Sequence, residues 1–344
     1  MDQKTKKHAN IPLFVPHMGC PHACVFCDQK AISGTTAFDL EGARKHIEKS
    51  LETLNGRKAE LAFFGGSFTA IDRNLMCELL GMAQDFLNQK VLCGIRLSTR
   101  PDCIDEEVLD ILENYGVTSI ELGMQSMDDK VLLASSRGHT SADSVRACLQ
   151  IKKRNRFSLV GQMMLGLPLS DLQKELFTAE EICRLGADAC RIYPTVVLSG
   201  TFLQKMYESR VYTPLSLSEG VKRGADVREV FEKHGVGILR MGLCAEESCA
   251  SSVVAGCYHP AYGEMVENLL FAREIEKNFA KNPPTCGKTY TIFVSPGRIS
   301  AAVGQKKENK RKISERYGCQ LFFAEKPELS GRQVVIEEGK KKCV

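Results

Sequence analysis

Residues 59–66, AELAFFGG, run apolar around a single glutamate and stop at two glycines. A short apolar run closed by turn residues is the mark of a strand buried on both faces. Five further stretches share it: IPLFVP (11–16), CGIRLST (93–99), TSIELGMQS (118–126), SLVGQMMLGLP (158–168) and DACRIYPTVV (188–197). Between the six lie amphipathic stretches at 38–54, 73–89, 104–115, 140–153 and 171–185. Strands alternating with helices argue for βαβ units in a parallel sheet. Right-handed crossovers curl six such units into an open, partial (β/α)6 barrel, an α/β fold. Its functional groups then belong at the C-terminal ends of the strands.

Unusual residues fall at those ends. Cys20, Cys24 and Cys27 follow the first run, Gly65-Gly66-Ser67 the second, and Ser98-Thr99-Arg100-Pro101 the third. Gln125 and Ser126 close the fourth, with Arg137-Gly138-His139-Thr140 beyond, while Gly166-Leu167-Pro168 and Tyr193-Pro194-Thr195 close the last two. Six punctuated ends point to one shared site.

The cysteines, in GCPHACVFC (19–27), are spaced C-x3-C-x2-C. Three soft ligands suit either a zinc site completed by His17, His22 or a distant cysteine, or an iron–sulfur cluster with one iron left open. Around an open iron, Gly65, Gly66 and Ser67 offer close backbone approach, Arg137 a cation for a carboxylate, and Ser98, Thr99, Gln125 and Gln162 hydrogen bonds to a ribose and a base. Phe26 could shield such a centre from water.

The 344 residues are 43% hydrophobic and 26% charged, with net charge +4, as in a globular protein. No run of about 18 apolar residues predicts a membrane span. IPLFVP is too short for a signal-peptide core, so the cytoplasm is the expected compartment. Fifteen cysteines are many for that compartment; most, such as Cys183 and Cys190, read as buried thiols. The looser trio Cys244, Cys249 and Cys257 fits no metal spacing and also reads as ordinary thiols. Tyr258, His259, Tyr262 and Glu264, in YHPAYGEMVE (258–267), border either a substrate opening or a packed interface.

The expected organisation is a barrel core at 8–245, a helical extension and linker at 246–287, a basic module at 288–338 and a tail at 339–344. In the extension, Met265, Val266, Leu269, Leu270, Ile275 and Phe279 share one helical face. The module reads β-α-α-β-β, a small α+β unit. From Lys288 to Tyr317 it carries eight Lys or Arg against two Glu.

The cysteine triplet with an aromatic before its last member resembles the radical S-adenosylmethionine (SAM) superfamily. FFGGSF, STRPD, ELGMQS, RGHT, LGLP and IYPTVVLSGT, in that order, resemble the radical SAM core of the catalytic Elongator subunit, a tRNA-modifying enzyme, over about residues 10–215. Coproporphyrinogen dehydrogenase shares a looser version. The resemblance implies a TIM-like partial barrel in which Cys20, Cys24 and Cys27 hold a [4Fe–4S] cluster. It places SAM against Phe26, Gly65, Gly66, Ser67, Thr99, Gln125 and Arg137. An electron from a reductase, flavodoxin or ferredoxin would let the cluster cleave SAM to methionine and a 5′-deoxyadenosyl radical. Relatives carry acids where Ser98 and Gln162 stand. The Elongator subunit continues into an acetyltransferase domain whose acetyl-CoA loop is not in this sequence, so carboxymethylation is not carried over.

AAVGQKKENKRKISERYG (301–318) resembles a KH RNA-binding domain, whose GxxG loop clamps the nucleic-acid backbone. Lys307 replaces the second glycine. The resemblance implies RNA contacts from Arg298, Lys306, Lys307, Lys310, Arg311 and Lys312. The expected function is a radical SAM transferase acting on tRNA or ribosomal RNA. The alternatives are a radical SAM oxidoreductase on a small molecule and a non-catalytic iron–sulfur RNA-binding protein.

Overall fold

The computed structural model describes residues 9–15, 20, 22–27, 38–54, 56–243 and 251–339. Six expected strands are present: β1 (Ala9–Val15), β2 (Ala59–Gly65), β3 (Gly94–Thr99), β4 (Val117–Gln125), β5 (Ser158–Leu165) and β6 (Ala189–Pro194). Their crossover helices are α1 (Leu40–Glu52), α2 (Arg73–Asn88), α3 (Glu106–Asn114), then α4 (Asp129–Ala134) with α5 (Ser141–Lys153), and α6 (Leu172–Arg184). The starts are fixed by side chains: Asp39, Asp72, Asp105, Asp128 and Asp171 each accept from a backbone N–H of the first turn, and Thr140 with Asp143 closes a capping box.

Two features depart from the six-run reading. The stretch 188–197 is not one strand: β6 ends at Pro194, and β7 (Val196–Leu198) pairs antiparallel with β9 (Val253–Gly256). A seventh strand, β8 (Gly237–Met241), joins beyond β6 in the order β1-β2-β3-β4-β5-β6-β8, every pairing parallel. The curled parallel sheet with its helices is the partial barrel expected, one strand wider. Along β1, Ile11, Leu13 and Val15 are buried while Phe14 is 48% exposed. That alternation separates a helix-covered outer face from an open inner one.

The chain divides into two compact units, Met1–Ser216 with Val227–Tyr258, and Leu217–Asp226 with His259–Val344. Helix α7 (Phe202–Glu208) belongs to the first, and α8 (Leu217–Lys233) contributes to both. In the second, β10 (Thr289–Val294), α10 (Ile299–Val303), α11 (Glu308–Tyr317), β11 (Gln320–Glu325) and β12 (Val334–Glu338) form the expected β-α-α-β-β unit. Strand β10 is central, parallel to β11 and antiparallel to β12. The helix α9 (Tyr262–Lys281) sends Phe271, Ile275 and Phe279 into one core with Tyr290, Ile292, Val294, Ile313 and Leu321. Phe271 belongs to the buried face that the sequence reading assigned without it; Met265 and Leu269 are half-buried.

Candidate active site

Past the C-terminal ends of β1 to β5 lies a cavity of about 320 Å³. Cys20, Cys24 and Cys27 line it, and so do all nine residues expected around SAM: Phe26, Gly65, Gly66, Ser67, Ser98, Thr99, Gln125, Arg137 and Gln162. His22, Ala23, Arg100 and Gly123 complete the wall beside them.

The cysteine loop takes its shape from Val25. Its N–H donates to Ser135 O at 3.2 Å, its carbonyl accepts from Leu203 N at 2.7 Å, and its side chain is buried with Val197, Leu203 and Tyr212. Phe26 packs against that cluster. Anchoring the residue between two cysteines leaves the thiols to the cavity.

Gly65 admits no side chain. Its φ is +122°, and a Cβ there would stand 2.2 Å from Val15 O. This close approach carries Ser67 into place, where its N–H donates to Cys20 Sγ at 3.3 Å. Three hydroxyls then run in one direction. Thr69 Oγ1 must donate to Cys103 O at 2.6 Å, because a carbonyl only accepts. Thr99 therefore donates to Thr69 at 2.6 Å, and Ser67 to Thr99 at 2.8 Å. Arg100 N donates to Ser67 Oγ at 3.2 Å. All three hydroxyl protons are committed, so Ser67 and Thr99 set the wall and offer a ligand only lone pairs.

Two buried arginines flank the thiols. Arg137 donates from Nη1 to Cys24 Sγ at 3.1 Å and from Nη2 to Gly123 O at 2.6 Å. Arg100 is held by Asp102 through two 2.9 Å bonds and donates to the Arg137 carbonyl. Burial pushes the Cys20 thiol up, opposed by the Ser67 N–H and both guanidiniums. Gly138, with φ +72°, lies under the His22 ring, which a Cβ would meet at 2.1 Å. His22 is thus a loop residue seated on the RGHT turn; His17 lies outside the described residues.

Gln125, 9% exposed, sits at φ +65° with its Oε1 unpartnered among the described residues. A strained residue with a buried orphan acceptor, in the wall of a cavity, marks a built site rather than ordinary packing. Among the described residues no three Cys, His, Asp or Glu side chains converge on a single-ion position. Three thiols spread around a cavity beside two guanidiniums fit a thiolate-held cluster, which is larger and anionic, and the orphan acceptor fits a ligand beside it.

His139 escaped the sequence reading, although RGHT contains it. Nε2 donates to Met124 O at 3.3 Å, and Nδ1 has no partner among the described residues. Burial, then Arg137 and Arg100, lower its pKa to about 4. An unfolded histidine titrates near 6.5, so the stability from keeping His139 neutral is complete above that pH and is lost as pH falls toward about 4. The full loss is about 3 kcal/mol. Urea denaturation of the wild type between those values should show this slope, and His139→Gln should flatten it.

Elsewhere the expectations fare unevenly. Tyr262 is buried and donates to Gly220 O at 2.7 Å, while His259 Nδ1 accepts from Ala261 N at 3.0 Å. Those two serve packing and a turn. Cys257 is a buried thiol pushed up to about 12, and Cys244 and Cys249 lie outside the described residues. Cys190 is fully buried; Cys183 is only half-buried. On the module, Arg298 approaches Glu267 at 3.9 Å, Arg311 pairs with Glu315 at 3.5 Å and Lys312 with Glu308 at 2.6 Å. Lys310 lies 5.4 Å over the Phe322 ring. The side chains of Lys306 and Lys307 have no partner among the described residues, and both residues take left-handed backbone, φ 49° and 61°.

The half-barrel gathers three thiols and one cavity at its strand ends. Residues 14–178 match the model of the radical SAM superfamily, and 187–271 that of the Radical_SAM C-terminal domain. The chain belongs to the radical SAM superfamily. An uncharacterized protein of Methanocaldococcus jannaschii is 31% identical over 225 residues, 62% of this chain and 69% of that protein. The tRNA uridine(34) acetyltransferase of the same organism is 24% identical over 289 residues, 72% of this chain and 52% of the other. The solved structure of the archaeal Methanocaldococcus infernus Elp3 superposes with a TM-score of 0.62 at 22% identity, covering 80% of this chain and 63% of that one. The chain thus spans about half to two thirds of these proteins. No helix among the described residues is long and apolar enough to cross a membrane.

Proposed function

We propose that this chain is a radical SAM enzyme that holds a [4Fe–4S] cluster on Cys20, Cys24 and Cys27 and modifies a base in structured RNA, tRNA or ribosomal RNA. The observation that carries the reading is the single cavity lined by all three thiols and all nine residues expected around SAM. When bound and reduced, the cluster would supply the electron for cleaving SAM to methionine and a 5′-deoxyadenosyl radical. The residues of this chain bind and orient. Arg137 sets positive charge beside Cys24 and toward the SAM carboxylate; Gln125 Oε1 accepts from a ligand N–H or O–H; Phe26 excludes water. Ser98 and Gln162 stand where relatives carry acids, and here Gln162 Nε2 donates to Ser98 Oγ at 3.2 Å and to Glu121 Oε2 at 2.9 Å. Glu121 therefore backs the neutral pair with a carboxylate one bond behind. The electron donor is a reductase, flavodoxin or ferredoxin.

The RNA assignment rests on the KH-like module at 288–338 and on the similarity to a protein named for a tRNA uridine. Left-handed lysines are strained by about 1–2 kcal/mol each. Two in succession between helices, free of carboxylates among the described residues, present unneutralised charge where a clamp loop meets phosphates. Anaerobic reconstitution with SAM and dithionite should release 5′-deoxyadenosine; silence under reducing conditions would leave an RNA-binding iron–sulfur protein. Nucleoside mass spectrometry of tRNA and rRNA from a deletion strain should show one modification missing, whereas an unchanged inventory favours a small-molecule substrate. Changing Lys306, Lys307, Lys310 and Arg311 to Ala should weaken RNA binding about tenfold or more and flatten its salt dependence. Unchanged binding and slope would remove the module from RNA recognition.

A further inference from the structure

A second cavity, of about 540 Å³, opens on the inner face of the sheet and touches both of its edge strands. Asn10 of β1 lines one side, Leu239, Arg240 and Met241 of β8 the other, with Arg96 and Arg191 between them. It shares no lining residue with the thiol cavity. Asn10, Arg96 and Arg191 stand in the first half of their strands, away from the C-terminal ends that hold the cysteines.

Among the described residues the charges do not balance. Arg96 is held by Glu60 at 2.7 Å and Glu121 at 3.1 Å. Arg191, 8% exposed, donates from Nη2 to the same Glu121 at 2.9 Å. Its Nε lies 2.8 Å from Glu121 Oε2, yet that N–H makes no hydrogen bond of good geometry. Among the described residues, Arg240 donates to the neutral carbonyls of Gly242 and Leu243 and to no carboxylate. Among the described residues, two carboxylates and the Tyr193 hydroxyl thus answer three guanidiniums. Arg191 and Arg240 are register partners on parallel strands, so both project from the same face of the sheet. Like charges held side by side destabilise a sheet unless an anion joins them. Apolar surface lies beside them: Leu239 is 46% exposed, and the Arg191 guanidinium sits 5.5 Å over the Phe64 ring.

We propose that this seam cavity is a second binding site, for a phosphate ester gripped by Arg191 and Arg240. Guanidinium forks match phosphate oxygens in pairs, and two arginines side by side offer more donors than one group of the chain takes up. The assignment does not depend on the RNA reading. The ester is either a backbone phosphate of a nucleic-acid strand or a free phosphorylated small molecule.

Calorimetry on the full chain separates the two, using inorganic phosphate, uridine 5′-monophosphate, uridine and a short oligouridylate. Phosphate and the monophosphate should bind at one site and uridine should not. Arg240→Gln removes the charge but keeps an amide donor for the Leu243 carbonyl. Asn10→Asp adds a carboxylate at an exposed edge position, so its effect does not depend on refolding. Each should weaken phosphate binding about tenfold or more. If only the oligouridylate binds and both variants weaken it, the source is a strand phosphate and the site stands. If no phosphate species binds, or Asn10→Asp binds as the wild type does, the site is overturned. Loss of oligouridylate binding in the four-residue Lys and Arg variant alone, with these two variants unaffected, supports the RNA module and overturns the seam site.

Discussion

Cys24→Ala is expected to leave the chain folded but without a full cluster after anaerobic reconstitution. Cys24 is the thiol that Arg137 touches at 3.1 Å, so on the proposed reading its loss removes a cluster ligand and the sulfur partner of a buried cation together. Iron and sulfide per chain should fall close to background. Release of 5′-deoxyadenosine should fall by more than about a hundredfold, the upper end for disturbing only an outer partner of a metal site. The informative control is His22→Ala. A zinc site completed by His22 would lose metal in both variants. The cluster reading expects His22→Ala to keep its iron, because that ring is seated on Gly138. Equal loss of iron in both would sink the assignment.

Gly65→Ala carries the second large effect, and it reaches the site through the backbone. The new Cβ would stand 2.2 Å from Val15 O, and the φ of +122° is one that side chains rarely adopt. Strain and overpacking together should lower stability by about 3 kcal/mol or more. The only local relief is to move the loop that presents Ser67, which would break its N–H bond to Cys20 Sγ and the chain of hydroxyls through Thr99. Thermal denaturation should therefore register a large loss. Equilibrium dialysis with SAM on whatever protein folds should register weakened binding. Wild-type melting with wild-type SAM affinity would show that the Gly-Gly turn is an ordinary turn.

Much of the site was legible because its residues sit where strands end, and strand ends are written locally. The apolar run 59–64 stops at Gly65, and the amphipathic stretches 38–54, 73–89, 104–115 and 171–185 each contain one of the helices. What escaped had weak local signals. Strand β8 is short and half-exposed, and only Gly235 and Gly237 beside its apolar residues could have announced it. His139 was in view inside RGHT but gave no sign that it would be buried between two arginines.

By itself, the sequence determined the strand–helix alternation, the cysteine triplet and the order of polar residues on successive strand ends. Periodicity and metal-ligand spacing act over a few residues, so a linear reading reaches them. Only the tertiary structure decided that twelve of those residues share one cavity, or that the protons of Ser67, Thr99 and Thr69 all run toward Cys103 O. The same holds for Glu60, Arg96, Glu121 and Arg191, ordinary charges in four separate strands until sheet register brings them into one buried network. Charge balance in a low-dielectric interior depends on neighbours tens of residues away, and no local pattern records it.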